Sequence, residues 1–206
     1  METTPDDPSD GVLRGFQKTG VRFEEFKYFI HGTTLGINAL LTRTGAKVGI
    51  VTTKGFRDIY ELGRLDRDEM YDLKYQKPPT LVPRYLRFEV EERVTFDGSI
   101  HVKFNEDDAN DVASQIRDCG VESVAICFLH SYAYPEHEQK MAEIILDECP
   151  NIEVTLSSAL SREYREYERT STAVMDAYVK PIARRYLQGL NRSLKREQFT
   201  GNFLLT

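Results

Sequence analysis

The sequence predicts an α/β protein in which a parallel or mixed sheet is layered with helices. Apolar runs of strand length alternate with helical patterns along the chain. The five runs occupy residues 26–30, 48–51, 121–129, 152–156 and 203–205. A chain of 206 residues can bury a hydrophobic core and form one or two domains. We treat residues 1–206 as one region, with a possible subdivision into residues 20–104 and 105–206.

Two helices are predicted between the later strands. Asn105 and the acidic residues after it favour a helix start, and Gly120 ends the helix. Pro135 occupies a favoured first position of the next helix, which Pro150 stops. Their inward-facing apolar positions are Ala109, Val112, Ala113 and Ile116 in the first helix, and Met141, Ile144 and Ile145 in the second.

A longer helical pattern runs from Tyr164 to Leu194, with Pro181 inside it. This pattern fits either one helix kinked at the proline or two helices in sequence. Earlier in the chain, apolar residues occupy the even positions from Leu86 to Phe104 across the Asp97–Gly98 turn. That alternation predicts an inserted two-stranded β-hairpin with one dry face.

Composition excludes several classes of function. A net charge of −6 argues against a general nucleic-acid or membrane-surface role. The longest apolar run, Val124–Leu129, is far shorter than the roughly 18 residues that a membrane helix needs. The three cysteines form no Cys-x-x-Cys pair, which fits buried, reduced thiols in a cytoplasmic protein.

The first candidate site lies where the apolar run ending at Ile30 meets His31, Thr33 and Thr34, followed by Asn38 on a short helix. We expect a buried strand here, with backbone N–H groups and hydroxyls facing one point at the helix N-terminus. Such a turn suits a phosphate or a polarised carbonyl. The alternative is that one threonine only caps the helix and His31 is a satisfied core imidazole.

The second candidate is cationic. Arg57 and Asp58 follow Gly55, with Arg64 and Arg67 a few residues later as secondary candidates. Guanidinium groups bind carboxylates or phosphates in a bidentate way, and Asp58 can pair with one of these arginines to hold it in place. Solvated surface charge is the alternative interpretation.

The third candidate places His130 and His137 at the end of an apolar strand and the start of a helix. Together with a carboxylate of Glu136 or Glu138, two imidazoles can bind a divalent metal or shuttle a proton, although the spacing differs from the i, i+4 pattern of a helical zinc site. Capping and bracing of the loop is the alternative. A fourth segment, residues 162–172, is rich in opposite charges three and four apart, and a structural charge ladder accounts for it.

The order of these motifs resembles the N-terminal region of the hydantoinase/oxoprolinase family. The resemblance rests on His31–Thr34, on Asn38, on Gly55–Asp58, on Leu129–Tyr132 with His137, and on Arg165–Thr172. It implies a lobe of an actin/hexokinase-type ATPase fold, in which ATP phosphorylates a carbonyl or amide oxygen. In such a lobe His31, Thr33, Thr34 and Asn38 border the reacting carbonyl. Arg57 or Arg169 offsets negative charge, and His130 and His137 position metal or water.

The resemblance implies an ATP-dependent hydrolase of cyclic amides, of the hydantoin or 5-oxoproline type, that works with ATP and a divalent metal such as Mg²⁺. It also implies a second hydantoinase-type subunit or domain as partner. The alternatives are a subunit of an acetone- or acetophenone-type carboxylase and a non-catalytic remnant or assembly domain. The glycine-rich phosphate loops of the family are not found in this sequence, so we expect an incomplete lobe that is inactive alone, as a fragment or a degenerate copy.

Overall fold

The computed structural model describes residues 8–18, 20, 22–23, 26–64 and 71–206. The chain divides into two compact units. The central unit comprises residues 46–178, and the terminal unit comprises residues 1–45 and 179–206. The possible subdivision at residue 104 falls inside the central unit.

The strands of the described residues are β1 (Tyr28–His31), β2 (Val48–Thr53), β3 (Arg87–Val90), β4 (Arg93–Val94), β5 (Ile100–Val102), β6 (Ser123–Cys127), β7 (Glu153–Leu156) and β8 (Asn202–Leu205). The helices are α1 (Pro8–Gln17), α2 (Leu35–Thr42), α3 (Ile59–Leu62), α4 (Glu106–Asp118), α5 (Glu136–Glu148), α6 (Ser157–Leu160) and α7 (Glu166–Arg196). Each of the five predicted apolar runs overlaps a strand.

The core of the central unit is a four-stranded parallel sheet in the order β3-β2-β6-β7. Strands β2 and β6 are buried along their whole length, which explains why they are continuous apolar runs rather than alternating ones. Helix α5 contacts β6 and β7, and α4 contacts β3 and α5. The predicted layering of helices on a parallel sheet is therefore confirmed.

The predicted helices are present, with their apolar stripes inward. The Asn105 side chain accepts a hydrogen bond from the backbone N–H of Asp108 at 3.2 Å, and so caps α4. Pro135 immediately precedes α5. Helix α7 continues through Pro181, so the single-helix alternative is the observed one. The buried positions of α4 are Ala109, Val112, Ala113 and Ile116.

The inserted hairpin is shorter than the alternating pattern predicts. Strands β4 and β5 pair in antiparallel fashion, but Arg87–Val90 joins the parallel sheet beside β2. The dry face ends at Val94, since Phe96 and Ile100 are exposed. Alternation shows which face of a strand is buried but not which strand pairs with it. The sequence pattern therefore predicted one long hairpin, whereas β3 pairs with β2 and only β4 and β5 form a hairpin.

In the terminal unit, β1 and β8 form a two-stranded parallel sheet. Phe23, Leu190 and Leu194 are the buried centre of its core. Strand β1 was expected to be buried, and this expectation is wrong: Tyr28 and Ile30 are 58% and 64% exposed. Among the described residues, β1 pairs only with β8, so its other edge has no strand beside it. The side chains of Tyr28 and Ile30, which alternate along β1, are the exposed ones.

No helix in the described ranges has both the length and the apolar character required to cross a bilayer. Cys119, Cys127 and Cys149 are free thiols. Cys127 is buried at the end of β6, and its burial raises the pKa of the thiol far above its usual range. Cys119 and Cys149 are partly exposed, so the expectation of buried thiols holds for Cys127 alone.

Candidate functional site

Four parallel strands of the central unit end at one edge of its sheet, and buried polar side chains gather there. Thr53 ends β2, Glu92 follows β3 by two residues, and Ser157 directly follows β7. The carboxyl edge of a parallel sheet is the usual place for a ligand or a catalytic group in α/β proteins. We therefore take this edge as the starting point for a functional site.

Glu138 is the most connected side chain at this edge. It is fully buried, and its carboxylate accepts hydrogen bonds from the backbone N–H of Phe128 at 3.0 Å and of Ser158 at 2.9 Å. It also accepts from the hydroxyls of Ser157 at 2.6 Å and Ser158 at 2.7 Å. These four donors replace the water that a buried carboxylate loses, so Glu138 ties β6 to the segment after β7.

Arg169, a predicted site residue, is 1% exposed and lies in the same network. Its guanidinium donates to the hydroxyl of Ser157 at 3.1 Å and to the backbone carbonyls of Glu163 at 2.6 Å and Phe128 at 2.7 Å. It also lies 5.5 Å from the ring centroid of Tyr132. These contacts use all three guanidinium nitrogens to hold the protein together. The predicted charge-offsetting role of Arg169 stays a prediction.

His137 and Glu92 form a second buried pair. Nδ1 of His137 lies 2.7 Å from a carboxylate oxygen of Glu92, and both residues are less than a tenth exposed. The other carboxylate oxygen of Glu92 accepts a hydrogen bond from the Thr53 hydroxyl, which in turn accepts one from the backbone N–H of Leu129 at 3.0 Å. The chain Leu129–Thr53–Glu92–His137 thus joins the ends of three strands to α5.

His130 belongs to a different part of the edge. Its backbone is left-handed, with φ of 54°, and its Nδ1 lies 3.1 Å from the hydroxyl of Tyr132. Each of the two predicted metal ligands therefore has a partner of its own. Within the ranges that the structure describes, no group of three or more His, Cys, Asp or Glu side chains is arranged to hold a metal ion. These contacts fit the loop-bracing alternative.

The predicted arginine cluster is organised by partners outside it. Arg57 pairs with Glu89 at 3.0 Å. Asp58 was expected to hold a neighbouring arginine of the cluster, but its two carboxylate oxygens instead accept from Arg84 at 2.9 and 3.0 Å. The hydrogen bond from Arg84 holds the pKa of Asp58 below its ordinary value. Among the described residues, Arg84 rather than Arg57 or Arg64 is therefore the hydrogen-bond partner of Asp58.

Asp58 pairs with Arg84 for a physical reason. Helix α3 is only four residues long, so the segment after Asp58 forms no extended helical face on which neighbouring arginines could reach it. The 3-10 turn Arg84–Leu86 lies beside Asp58 instead. Arg64 pairs with Glu168 through Nε at 2.9 Å and Nη2 at 2.6 Å. Arg67 lies outside the described residues.

In the terminal unit, the predicted turn follows β1. His31 is half-buried, and its Nε2 lies 2.6 Å from the hydroxyl of Tyr186. Thr33 accepts from the backbone N–H of Leu35 at 3.2 Å, and Thr34 accepts from the side-chain amide of Asn38 at 3.2 Å. The Thr33 contact fits the capping alternative.

Thr33, Thr34 and Asn38 are exposed, so this turn presents two hydroxyls and an amide to solvent. A set of neutral polar groups at a helix start matches the predicted chemistry of the turn. The predicted roles of these residues stay predictions.

Sequence reasoning did not select Thr53, Glu92 or Glu138 as site residues. The signal for Thr53 and Glu92 was present: both are polar residues at the carboxyl ends of apolar strands. Glu138 lies beside His137, and only the fold shows that its side chain is turned inward. Its burial could not be inferred because a helix with acidic residues in its first turn is ordinary.

Comparison with known proteins gives close relatives. The chain is 42% identical over 206 residues to an uncharacterised protein of Methanocaldococcus jannaschii, a match that covers 98% of this chain and 30% of that protein. It is 35% identical to the caprolactamase alpha subunit of Pseudomonas jessenii, covering 79% of this chain and 24% of that subunit. It is 30% identical to the acetophenone carboxylase gamma subunit of Aromatoleum aromaticum, and this match covers 98% of this chain and 31% of that subunit. The chain thus spans about a third or less of these relatives.

Solved structures show the same fold. The ATP-dependent caprolactamase from Pseudomonas jessenii superposes with a TM-score of 0.84 over 95% of this chain and 29% of that one, at 30% identity. A nucleotide-free acetone carboxylase superposes with a TM-score of 0.86 over 100% of this chain and 32% of that one. Its identity of 24% shows the fold alone. The predicted ATPase-like α/β lobe with an inserted hairpin is confirmed.

The family described as the hydantoinase/oxoprolinase N-terminal region matches residues 1–149. This match covers well over half of the chain, and it includes the turn at His31, the arginine cluster and, from the buried edge of the central sheet, Thr53, Glu92, His137 and Glu138. The chain therefore belongs to the hydantoinase/oxoprolinase family, as a representative of its N-terminal region.

Proposed function

We propose that this chain is part of an ATP-dependent hydrolase that opens cyclic amides by phosphorylating the amide carbonyl oxygen. The observation that carries the proposal is the similarity to the caprolactamase alpha subunit, at 35% identity, together with the matching fold of the ATP-dependent caprolactamase structure. Relatives named as alpha and gamma subunits support a partner subunit or domain for the complete protein.

The chemistry explains why ATP is needed. An amide carbonyl is a poor electrophile, and transfer of the γ-phosphoryl group to its oxygen converts that oxygen into a leaving group. Water then attacks the carbon, the C–N bond breaks, and inorganic phosphate departs. The balance is cyclic amide, ATP and water giving the open amino acid, ADP and phosphate. The protein has to align the carbonyl with the phosphate and stabilise the charge that develops.

In this proposal the turn after β1 contacts the carbonyl. His31 is held by Tyr186, and the exposed hydroxyls of Thr33 and Thr34 and the amide of Asn38 offer neutral donors. Neutral donors can hold the carbonyl oxygen beside the γ-phosphate without adding a full charge.

Four further residues keep the roles predicted from the family. Arg57, whose side chain is 38% exposed, offsets negative charge. Arg169, His130 and His137 act through the buried edge of the central sheet. Because the two histidines have separate partners and no described cluster suits a metal, we assign no step to a metal held by these residues.

A carboxylase is the second candidate. The acetophenone carboxylase gamma subunit covers 98% of this chain at 30% identity, so an ATP-dependent carboxylation of an enolised ketone has its own observation. Both reactions phosphorylate an oxygen on carbon, and they differ in what attacks next. Product analysis distinguishes them.

The test uses the complete protein that contains this chain, with its partner subunit. ATP is supplied with a hydantoin, 5-oxoproline or a larger lactam, and separately with bicarbonate and a ketone. We expect ring opening coupled to phosphate release, and a loss of at least about 100-fold in His31→Ala and Thr33→Ala. His101→Ala and Thr200→Ala are matched controls, since both are exposed residues that do not belong to the turn.

Carbon fixation in place of ring opening would favour the carboxylase. Full ring-opening activity in both turn variants would remove the site. A protein that assembles with its partner yet binds no nucleotide in calorimetry would be a remnant or assembly domain.

A further inference from the structure

The central unit carries a cleft with a volume of about 570 Å³. Residues 75–81, in the proline-rich loop before the 3-10 turn, form one wall, and the first turns of α7 form another. Helix α3 and the two residues after it contribute a third. Arg64, which the sequence offered as a secondary candidate, belongs to this third wall. A cavity of this volume is within the range of small-molecule sites.

The apolar part of the lining is rich in rings. Each wall supplies one tyrosine: Tyr75 from the loop, Tyr167 from α7 and Tyr60 from α3. Pro78 and Met175 lie among them. Aromatic side chains contribute a large apolar area, and they pack favourably against another ring in offset or edge-to-face arrangements. The lining therefore suits a ligand with a flat, apolar body.

Gly63 shapes the wall beside Arg64. Its φ of 53° lies in the left-handed region, and a Cβ at this position would meet two ring atoms of Tyr167 at 3.2 Å. The missing side chain lets the ring of Tyr167 lie against the backbone next to Arg64. The cleft therefore contains a close approach that only glycine permits, and this approach brings an aromatic ring near a cation.

The charged groups of the lining favour an anion. Arg64 and Lys77 are cations, and Glu61, the carboxylate of the described lining, is already paired with Arg87 at 2.7 Å. Nζ of Lys77 donates to the backbone carbonyls of Glu61 and Leu62. An ammonium group has three N–H bonds, so these two hydrogen bonds leave one N–H for a ligand.

Two further donors of the lining have hydrogen bonds left to make. Nε and Nη2 of Arg64 contact Oε1 of Glu168 at 2.9 and 2.6 Å, which holds the guanidinium in place and leaves the N–H groups of Nη1 for another acceptor. The hydroxyl oxygen of Ser171 is buried and has no hydrogen-bond partner among the described residues. A buried polar atom without a partner costs about 1–3 kcal/mol, and an acceptor on a ligand would remove that cost.

We propose that this cleft binds a carboxylic acid with a flat aromatic body, of the arylacetate kind. Its carboxylate accepts hydrogen bonds from Arg64, Lys77 and Ser171, and its ring lies among the tyrosines. Inorganic phosphate would leave the aromatic lining uncovered, and a neutral aromatic molecule would leave the two cations without a counter-charge. The inference is independent of the proposed function, which places the reacting carbonyl at the turn after β1 in the terminal unit.

The experiment titrates phenylacetate into the 206-residue chain without ATP and follows the chemical shifts of backbone amides by NMR. Phenylacetamide, which has the same shape without the charge, and acetate, which lacks the ring, are titrated beside it. We expect a dissociation constant of about 1 mM for phenylacetate. Binding should be at least about fivefold weaker for phenylacetamide and at least about tenfold weaker for acetate. This comparison needs no variant, so it does not depend on any substitution being tolerated.

Variants then locate the site. Arg64→Gln and Ser171→Ala should each weaken phenylacetate binding by about fivefold. Ser171→Ala should not lower the melting temperature, because the hydroxyl has no described hydrogen bond to lose. Arg162→Gln and Ser114→Ala are matched controls at residues that do not line the cleft, and their affinity should equal that of the unsubstituted chain. Circular-dichroism melting checks that each variant is folded before its affinity is compared.

Three results would overturn the assignment. The first is that phenylacetate does not bind, and the second is that it binds equally well to the unsubstituted chain and to both cleft variants. The third is that phenylacetamide binds as tightly as phenylacetate, since the cations would then play no part. None of these results bears on ATP-dependent ring opening by the complete protein, which is tested by its own assay.

Discussion

The hydroxyl of Tyr186 lies 2.6 Å from Nε2 of His31, and the centroids of the two rings are 5.7 Å apart. Tyr186 packs against the core of the terminal unit, whereas His31 ends β1 directly before the candidate turn. A residue fixed in a core thus sets the orientation of an imidazole that we place at the reacting carbonyl. Such an orienting contact is how a fold selects one position of a catalytic histidine.

Loss of this contact should reduce activity without unfolding the protein. In Tyr186→Phe the ring remains in the core, but His31 loses the hydrogen bond that holds it. We expect kcat of ATP-dependent ring opening in the complete protein to fall by about tenfold, less than in His31→Ala. Unchanged kcat would show that the orientation of His31 is irrelevant to turnover. Tyr85→Phe, at an exposed tyrosine, is the matched control.

Removal of the Glu138 carboxylate should strongly destabilise the central unit. Glu138→Ala leaves four buried donors without an acceptor, so we expect the free energy of unfolding to fall by about 3–5 kcal/mol. Urea denaturation measures the change. Glu136→Ala, in the same helix turn, should cost about 0.5 kcal/mol or less. Equal effects in the two variants would contradict the network described for Glu138.

Substitution of Gly63 should lower the free energy of unfolding more than substitution of a glycine whose only special feature is a positive φ. Gly63→Ala adds a clash with Tyr167 to the strain of positive φ, while Gly120 has φ of 59° and nothing within 4 Å of the added Cβ. We expect Gly120→Ala to cost about 1 kcal/mol and Gly63→Ala about 1–2 kcal/mol more. Equal costs would mean that Tyr167 moves aside freely.

The three thiols should differ in reactivity. Cys127 is buried, and desolvation together with the nearby Glu138 raises the pKa of its thiol, so the reactive thiolate is scarce. Cys119 and Cys149 are partly exposed. Iodoacetamide at pH 8 should therefore label these two in the native protein and label Cys127 only after denaturation, as peptide mass spectrometry can show. Native labelling of Cys127 at the same rate would contradict its burial.

Stability should fall in acid, for two distinguishable reasons. The pKa values of Asp58, Glu168 and Asp97 all lie below their ordinary values, because of hydrogen bonds from Arg84, Arg64 and Thr95 respectively. A carboxyl whose pKa is lowered by folding stabilises the native state above its unfolded pKa, and this contribution is lost as the pH falls through the folded pKa. The ordinary values are 3.8 for Asp and 4.5 for Glu, so the loss should begin below about pH 4.5.

The salt concentration distinguishes the ion-paired carboxylates from Asp97 as sources of the acid dependence. The partners of Asp58 and Glu168 are arginines at the surface, whereas Asp97 is held by the neutral Thr95 and Ser99. Urea midpoints between pH 3 and pH 7 should depend on pH less steeply in 1 M NaCl, and the part that remains should disappear in Asp97→Asn. A pH dependence that salt leaves unchanged would exclude the two ion pairs as its source.

The structure corrected the sequence where a side chain's partner came from elsewhere in the chain. Local pattern was sufficient for the buried strands and for the Asn105 cap, because burial on both strand faces and N-capping leave local signals. It left one helix or two open around Pro181, and the structure has one. It could not show that Asp58 pairs with Arg84 rather than with a neighbour in the cluster, or that Arg87–Val90 leaves the hairpin to join β2. Those outcomes depend on which loop returns to which strand.

The sequence by itself determined the α/β class, the family and the residues offered for chemistry, because strand length, helix period and motif order are properties of neighbouring residues. Only the tertiary structure decided which of them meet. It buried Arg169 against Glu163, Phe128 and Ser157, and it joined His137 to Glu92. These contacts depend on tertiary packing, because residues far apart in sequence leave no periodic pattern that would indicate that they meet.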